Sequence, residues 1–389
     1  MKATTRRLDR DIDLLDVAGV DGVLFEGGGH GLAGQGEALR VDASDVEQAL
    51  VSIERDDEVG LPGCGPVAFA SLPFDVAAPA TAAIPSVVVG RSADGTRWIT
   101  TIDGAELIHT APSATIPTRF TVTSTRHPDE WCDAVAEAVK RLAAGEAEKV
   151  VLARELVVEA DAPIDVITVL ARLRASYPST MRYSIDGLVG ATPELLVSRF
   201  GDVVRSHPFA GTTPRTGDPD ADDRAAASLL ASAKDRAEHQ ITIDMVLDTV
   251  LPFCSYVDSE PEPSVVRLAN VQHLASLVEG RLSSPPATAL TLVGALHPTP
   301  AVCGWPTAAA RAMIAELEAL DRGGYTGAVG WVDADGDGRF GVAIRCADVH
   351  GTRARVFAGN GIVADSDPRT ELLETQAKLQ AMLGAVVRV

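Results

Sequence analysis

Residues 128–156 read PDEWCDAVAEAVKRLAAGEAEKVVLAREL. Trp131, Val135, Ala138, Val139 and Leu142 recur at helical spacing behind an acidic first turn, so residues 128–143 are expected to form an amphipathic helix. The largely apolar run at 150–156 is then a strand, with Lys149 at its head. A second amphipathic helix is expected at 164–176, then strands at 181–185 and 195–200. Further helices are expected at 221–251 and 307–319, and a β-rich stretch at 328–357 precedes a last helix at 368–383. Asp367 can cap that helix, with Pro368 at its first position. Strands arrive in groups with long helices between them, which predicts an α+β fold rather than alternating βα units.

Upstream, the first 120 residues are rich in Gly, Pro and small side chains and carry short strand candidates at 23–25, 87–89 and 98–101. Asp94-Gly95 suits a hairpin turn between the last two. No repeat, low-complexity linker or domain break interrupts the chain, so the expectation is one domain over 1–389, its N-terminal third packed onto the rest.

The chain has 389 residues, 46% of them hydrophobic, and 34 Lys+Arg against 54 Asp+Glu give a formal charge of −20. Nucleic acid and anionic membrane surfaces are disfavoured as main partners, since both need a surplus of cations. A small anionic substrate stays open if local Arg, Lys or a metal ion overrides the global field. Five cysteines without a CxxC pair argue for a reduced protein with neither disulfide framework nor zinc site. The opening MKATTRRLDRDIDLLDV carries charge where a secretory signal would be apolar. No apolar run reaches the roughly 18 residues of a transmembrane helix, so a soluble cytoplasmic protein is expected.

Two motifs are decoys. Residues 29–34, GHGLAG, match the spacing of a dinucleotide-binding loop, but turn and strand follow instead of the required helix. A flexible loop is expected there. Residues 333–338, DADGDG, resemble half a calcium loop, but Ile344 stands where the bidentate Glu belongs, and a polar hairpin tip is expected. Eight histidines show no metal-ligand spacing; His239 and His273 stand alone, as structural histidines do.

The chemistry concentrates in two acidic pairs, Asp235/Glu238 and Glu371/Glu374, each at i,i+3 on a predicted helix. If the helices face one another, four carboxylates converge and call for a hard cation such as Mg²⁺; if not, they are two solvated faces. Lys149 is either a strand-end lysine in water or, if buried, a group suited to general-base work. Glu194, in Ala191-Thr192-Pro193-Glu194, is either an exposed turn residue or a desolvated acid that keeps its proton. Arg345 and Lys378 offer cations for substrate carboxylates. Gly359-Asn360-Gly361 offers backbone that a ligand can approach, or a turn.

Over roughly 128–383 the chain resembles the chorismate-utilising enzymes, and within them the isochorismate synthases. The resemblance rests on Lys149-Val-Val-Leu-Ala-Arg154, Ala191-Thr-Pro-Glu194, Pro208-Phe-Ala-Gly-Thr212, Lys234-Asp-Arg-Ala-Glu-His239, His297-Pro-Thr-Pro-Ala-Val-Cys-Gly304, Arg322-Gly-Gly-Tyr-Thr-Gly327 and Ala358-Gly-Asn-Gly-Ile-Val363, running into Glu371 and Glu374. It implies a single α+β domain with its site between sheets, Mg²⁺ as cofactor, and reversible conversion of chorismate to isochorismate. By the same resemblance Glu238 and Glu374 are the principal metal ligands, with Asp235 and Glu371 beside or behind them. Lys149 matches the base that activates water for attack at C2, and Glu194 the acid that protonates the departing C4 hydroxyl. Gly211, Thr212, His273, Ala301, Tyr325, Arg345, Gly359 and Lys378 match positions around the substrate.

Lys149 distinguishes this chain from amine-transferring relatives, and Ala301 resembles isochorismate synthases. Tyr325 also occurs among lyase-type members, so a salicylate synthase that goes on to eliminate pyruvate is the alternative, and a silent chorismate-binding protein a third. The resemblance is compatible with a monomer and with a product feeding siderophore or menaquinone synthesis.

Overall fold

The strand expected from Val150 starts at Lys149 and runs to Ala160 in the computed structural model, which describes residues 1–108 and 116–387. Every residue from Lys149 to Glu155 is buried, so this strand is covered on both faces. Alternation of side chains sorts it. Val150 and Leu152 join Trp131, Val135, Met313 and Ile362 in a core under the helices Pro128–Ala143 and Thr307–Leu317. Lys149 and Val151 point the other way, into a pocket. Trp131 Nε1 donates to the Ala153 carbonyl at 3.0 Å, pinning the helix to the strand.

The strand pairs antiparallel with Arg353–Ile362, Val151 opposite Gly361 and Ala153 opposite Gly359, so both glycines share the pocket face. These two strands lie towards one end of a 13-stranded sheet. A nine-stranded sheet holds Leu195–Phe200 beside Gly338–Val342, then Ala328–Asp333 and Val67–Leu72. A three-stranded sheet joins Phe209–Pro214, Val271–Ala275 and Ser264–Arg267. Phe25, Trp98, Tyr183 and Phe357 of the first sheet meet Phe69, Val329 and Trp331 of the second in one buried core. Each such phenylalanine contributes roughly 1.5–3 kcal/mol by leaving water. The architecture is α+β.

The expected helix 128–143 is present with the same bounds, its N-terminus capped by the His127 side chain. Val166–Ser176 begins after Asp165, whose carboxylate accepts from the Ile167 and Thr168 N–H groups. The last helix runs Pro368–Val386 from the Asp367 cap.

Two expectations are corrected and a third is sharpened. The single helix at 221–251 is two, Pro219–Ala231 and Ala233–Val250, because Ser232 leaves helical geometry and its hydroxyl accepts from Asp235 N. The GHGLAG loop is no flexible loop but the buried strand His30–Gln35, paired on both sides. The N-terminal third is not merely packed onto the rest but built into its sheets: Val23–Gly27 pairs with Met181–Ile185 in the large sheet, and Val67–Leu72 with Ala328–Asp333 in the second.

DADGDG does form a hairpin turn, between Ala328–Asp333 and Gly338–Val342. Its first carboxylate is buried and accepts from the N–H groups of Gly63, Asp335 and Asp337 at 2.8–3.0 Å. Burial still pushes Asp333 up to about 7, helped by Asp337.

Candidate active site

A cavity of about 200 Å³ opens where the lysine strand, the strand Phe209–Pro214 and the helices Ala233–Val250 and Pro368–Val386 meet. All fourteen candidate residues line it. They are Lys149, Glu194, Gly211, Thr212, Asp235, Glu238, His273, Ala301, Tyr325, Arg345, Gly359, Glu371, Glu374 and Lys378.

Lys149 is 4% exposed, so the buried alternative is the one the fold adopts. Its Nζ lies 2.6 Å from Glu238 Oε1. Burial alone would raise the Glu238 carboxyl, but the ammonium outweighs it and holds that carboxyl below its usual value. Gly361 leaves room for this contact. A Cβ there would stand 2.5 Å from Lys149 Cε and 3.3 Å from Glu238 Oε1.

Glu194 is 3% exposed, and burial pushes it up to about 8 against the Phe209 N–H and the Lys149 and Arg345 charges. Among the described residues its Oε1 has no hydrogen-bond partner. Thus the pocket holds a carboxylic acid, protonated at neutral pH, with one oxygen unspent.

Arg345 is placed by a left-handed backbone, φ +52°, and burial lowers its guanidinium to about 10, still a cation at neutral pH. Its Nη2 donates to His273 Nε2 at 2.6 Å, and its buried Nη1 has no partner among the described residues. Tyr325 stacks on Phe357 with centroids 4.9 Å apart, and burial raises its phenol well above the usual value. His239 turns away from the chemistry and bonds Ser276 Oγ through Nε2 at 2.9 Å.

The acidic residues share the cavity without converging on one point. Glu238 meets Lys149, Glu374 meets Lys378 Nζ at 2.9 Å, and Glu371 accepts from Asn360 Nδ2 at 2.8 Å. Burial raises Glu371, and the neighbouring Glu374 charge adds to it. No group of three or more His, Cys, Asp or Glu among the described residues is arranged as a metal cage. The donor set nevertheless fits a hard cation, being four carboxylates from two helices with no thiolate.

Three contributors carried no assigned role in the sequence. Asn360 bridges Glu371 and Lys378, and Lys234 lines the mouth. Both, like the third, lay inside quoted motifs, where only their chemistry could have singled them out. The third is Arg322, whose ion pair with Glu318 at 2.6 Å is wholly buried. Its guanidinium donates to the carbonyls of Val151 and Val302 and to Thr326 Oγ1, while Glu318 accepts from Ala153 N. One charge pair so ties together three walls of the pocket.

The family profile described as chorismate binding enzyme matches residues 85–387. The chain is 43% identical over 270 residues to isochorismate synthase DhbC of Bacillus subtilis, covering 67% of this chain and 68% of that one. It is 35% identical over 356 residues to the vibriobactin-specific isochorismate synthase of Vibrio cholerae, covering 88% and 84%. The menaquinone-specific isochorismate synthase MenF of Escherichia coli shares the fold, with TM-score 0.83 at 22% identity over 98% of this chain and 94% of that one.

Proposed function

The chain belongs to the chorismate-binding enzyme family, and from that premise we propose that it is an isochorismate synthase interconverting chorismate and isochorismate. The observation that carries this reading is Glu194, an acid that holds its proton up to about pH 8 in the same pocket as a buried lysine. In its amine form, released from the ion pair with Glu238, Lys149 takes a proton from water as the water oxygen bonds to C2 of the ring. The ring double bonds shift, the C4–oxygen bond breaks, and Glu194 gives its proton to the departing hydroxyl, which leaves as water. Base and acid each change by one proton, so the reverse reaction starts from their exchanged states.

Arg345 and Lys378 supply cations for the two carboxylates of the substrate, and Gly359 and Ala301 leave space beside the ring. Glu238 and Glu374, with Asp235 and Glu371 beside them, would hold Mg²⁺, which supplies positive charge opposite the ring carboxylate. The metal-stripped protein is expected to lose turnover and regain it with Mg²⁺, whereas full activity in EDTA contradicts this assignment.

Tyr325 in the pocket wall is the one observation favouring a pyruvate-eliminating enzyme. Chromatography after incubation with chorismate and Mg²⁺ is expected to show isochorismate without pyruvate. Stoichiometric pyruvate would overturn the synthase reading.

A further inference from the structure

Thr212, His273 and Arg345 form a hydrogen-bond chain whose donors and acceptors can be arranged in one way only. Arg345 Nη2 lies 2.6 Å from His273 Nε2, and His273 Nδ1 lies 3.0 Å from Thr212 Oγ1. A guanidinium has donors and no acceptor, so Nε2 must accept. A neutral ring with a bare Nε2 carries its proton on Nδ1. An imidazolium would set an Nε2–H against a guanidinium N–H. Burial, then the Arg345 and Lys378 charges, keep the ring neutral against the opposing pull of the Gly211 backbone.

With the proton on Nδ1, the Thr212 oxygen can only accept from the ring. Its own hydroxyl proton is left without a partner in the chain and is free to point elsewhere. Thr212 lines the cavity on the strand Phe209–Pro214, where the left-handed Gly211, φ +73°, precedes it.

We propose that His273 is a positioning residue, locked by Arg345 as the Nδ1–H tautomer, which fixes the Thr212 hydroxyl as a hydrogen-bond donor to an acidic group of the substrate. Taking that group as a chorismate carboxylate rests on the function proposed above; the tautomer does not. Arg345 then has two tasks, one amino group setting the histidine and the other, Nη1, remaining for the ligand.

The test has two arms. Long-range ¹H–¹⁵N correlation on the labelled, substrate-free protein at neutral pH is expected to show His273 with a protonated Nδ1 and a bare Nε2. The signal is assigned by its loss in His273→Gln. The opposite tautomer, or a doubly protonated ring, overturns the proposal. In the kinetic arm, Thr212→Val is expected to raise KM about 10- to 100-fold, the range of a hydrogen bond to a charged group, with kcat within about threefold. Thr212→Ser, which keeps the donor, restores KM. A wild-type KM in Thr212→Val sinks the donor role. If a variant fails to fold, the spectroscopic arm decides alone. If chorismate is not turned over, the functional reading falls while the tautomer is still decided.

Discussion

Held near pH 8 by burial, the Glu194 carboxyl keeps a proton that its unfolded counterpart, near 4.5, has released at neutral pH. The native chain therefore binds more protons than the unfolded one across that window, and this group's contribution makes stability fall as pH rises from about 4.5 to about 8. Glu194→Gln removes the liability together with the acid. Thermal melts at pH 9 are expected to place the variant above wild type, while kcat drops by about 10²–10⁴. In wild type, kcat is expected to decline as pH climbs through about 8, as the acid is lost. A variant that melts below wild type at pH 9 would show that Glu194 is not a destabilised acid. The position of Glu194 was legible in its motif, but its burial was not, since a Glu after Thr-Pro reads equally well as a turn in water. Lys149 has the same history. Asn360 shows the converse: an asparagine between two glycines looks like a turn residue, and only the fold brings Glu371 and Lys378 to its two ends.

At the scale of elements, much was legible where periodicity is long, as in Pro128–Ala143, and little where the chain breaks without Gly or Pro, as at Ser232. That break matters, because it starts a new helix whose first turns carry Lys234, Asp235 and Glu238 into the cavity. The strand pair Lys149–Ala160 and Arg353–Ile362 holds a second dependency. Gly361→Ala is expected to push Lys149 off Glu238 and lower kcat by at least about tenfold, with the far-UV spectrum unchanged. A fully active variant would mean that the Lys149–Glu238 contact is dispensable. Arg322→Met breaks a fully buried ion pair and strands Glu318, which is expected to cost about 3–5 kcal/mol in chemical denaturation. Little in the sequence marks this pair, since an i,i+4 Glu and Arg normally decorate a surface.

For the molecule as a whole, the α+β class followed from the order of elements, but the sheet order did not. Pairings such as Leu24 with Ser184 or Phe69 with Trp331 join segments whose local sequence carries no trace of the partner. The short N-terminal strands therefore looked peripheral, although they extend both large sheets. We propose that residues 1–389 act as one domain. Tryptophan fluorescence, reporting Trp98 and Trp331 in one core and Trp131 in another, and far-UV dichroism are expected to trace one coincident unfolding transition. Two separated transitions would divide the chain into independent units.

The interleaving of the two ends has a consequence at birth. Val67–Leu72 emerges from the ribosome with one long edge bare, and its partner Ala328–Asp333 follows only near the end of synthesis, on the order of tens of seconds later. Until then an uncharged strand, most of it destined for the interior, waits as a template for any neighbouring nascent chain. Yield in the cell should accordingly follow translation speed and chaperone supply more closely than it follows the stability of the finished enzyme.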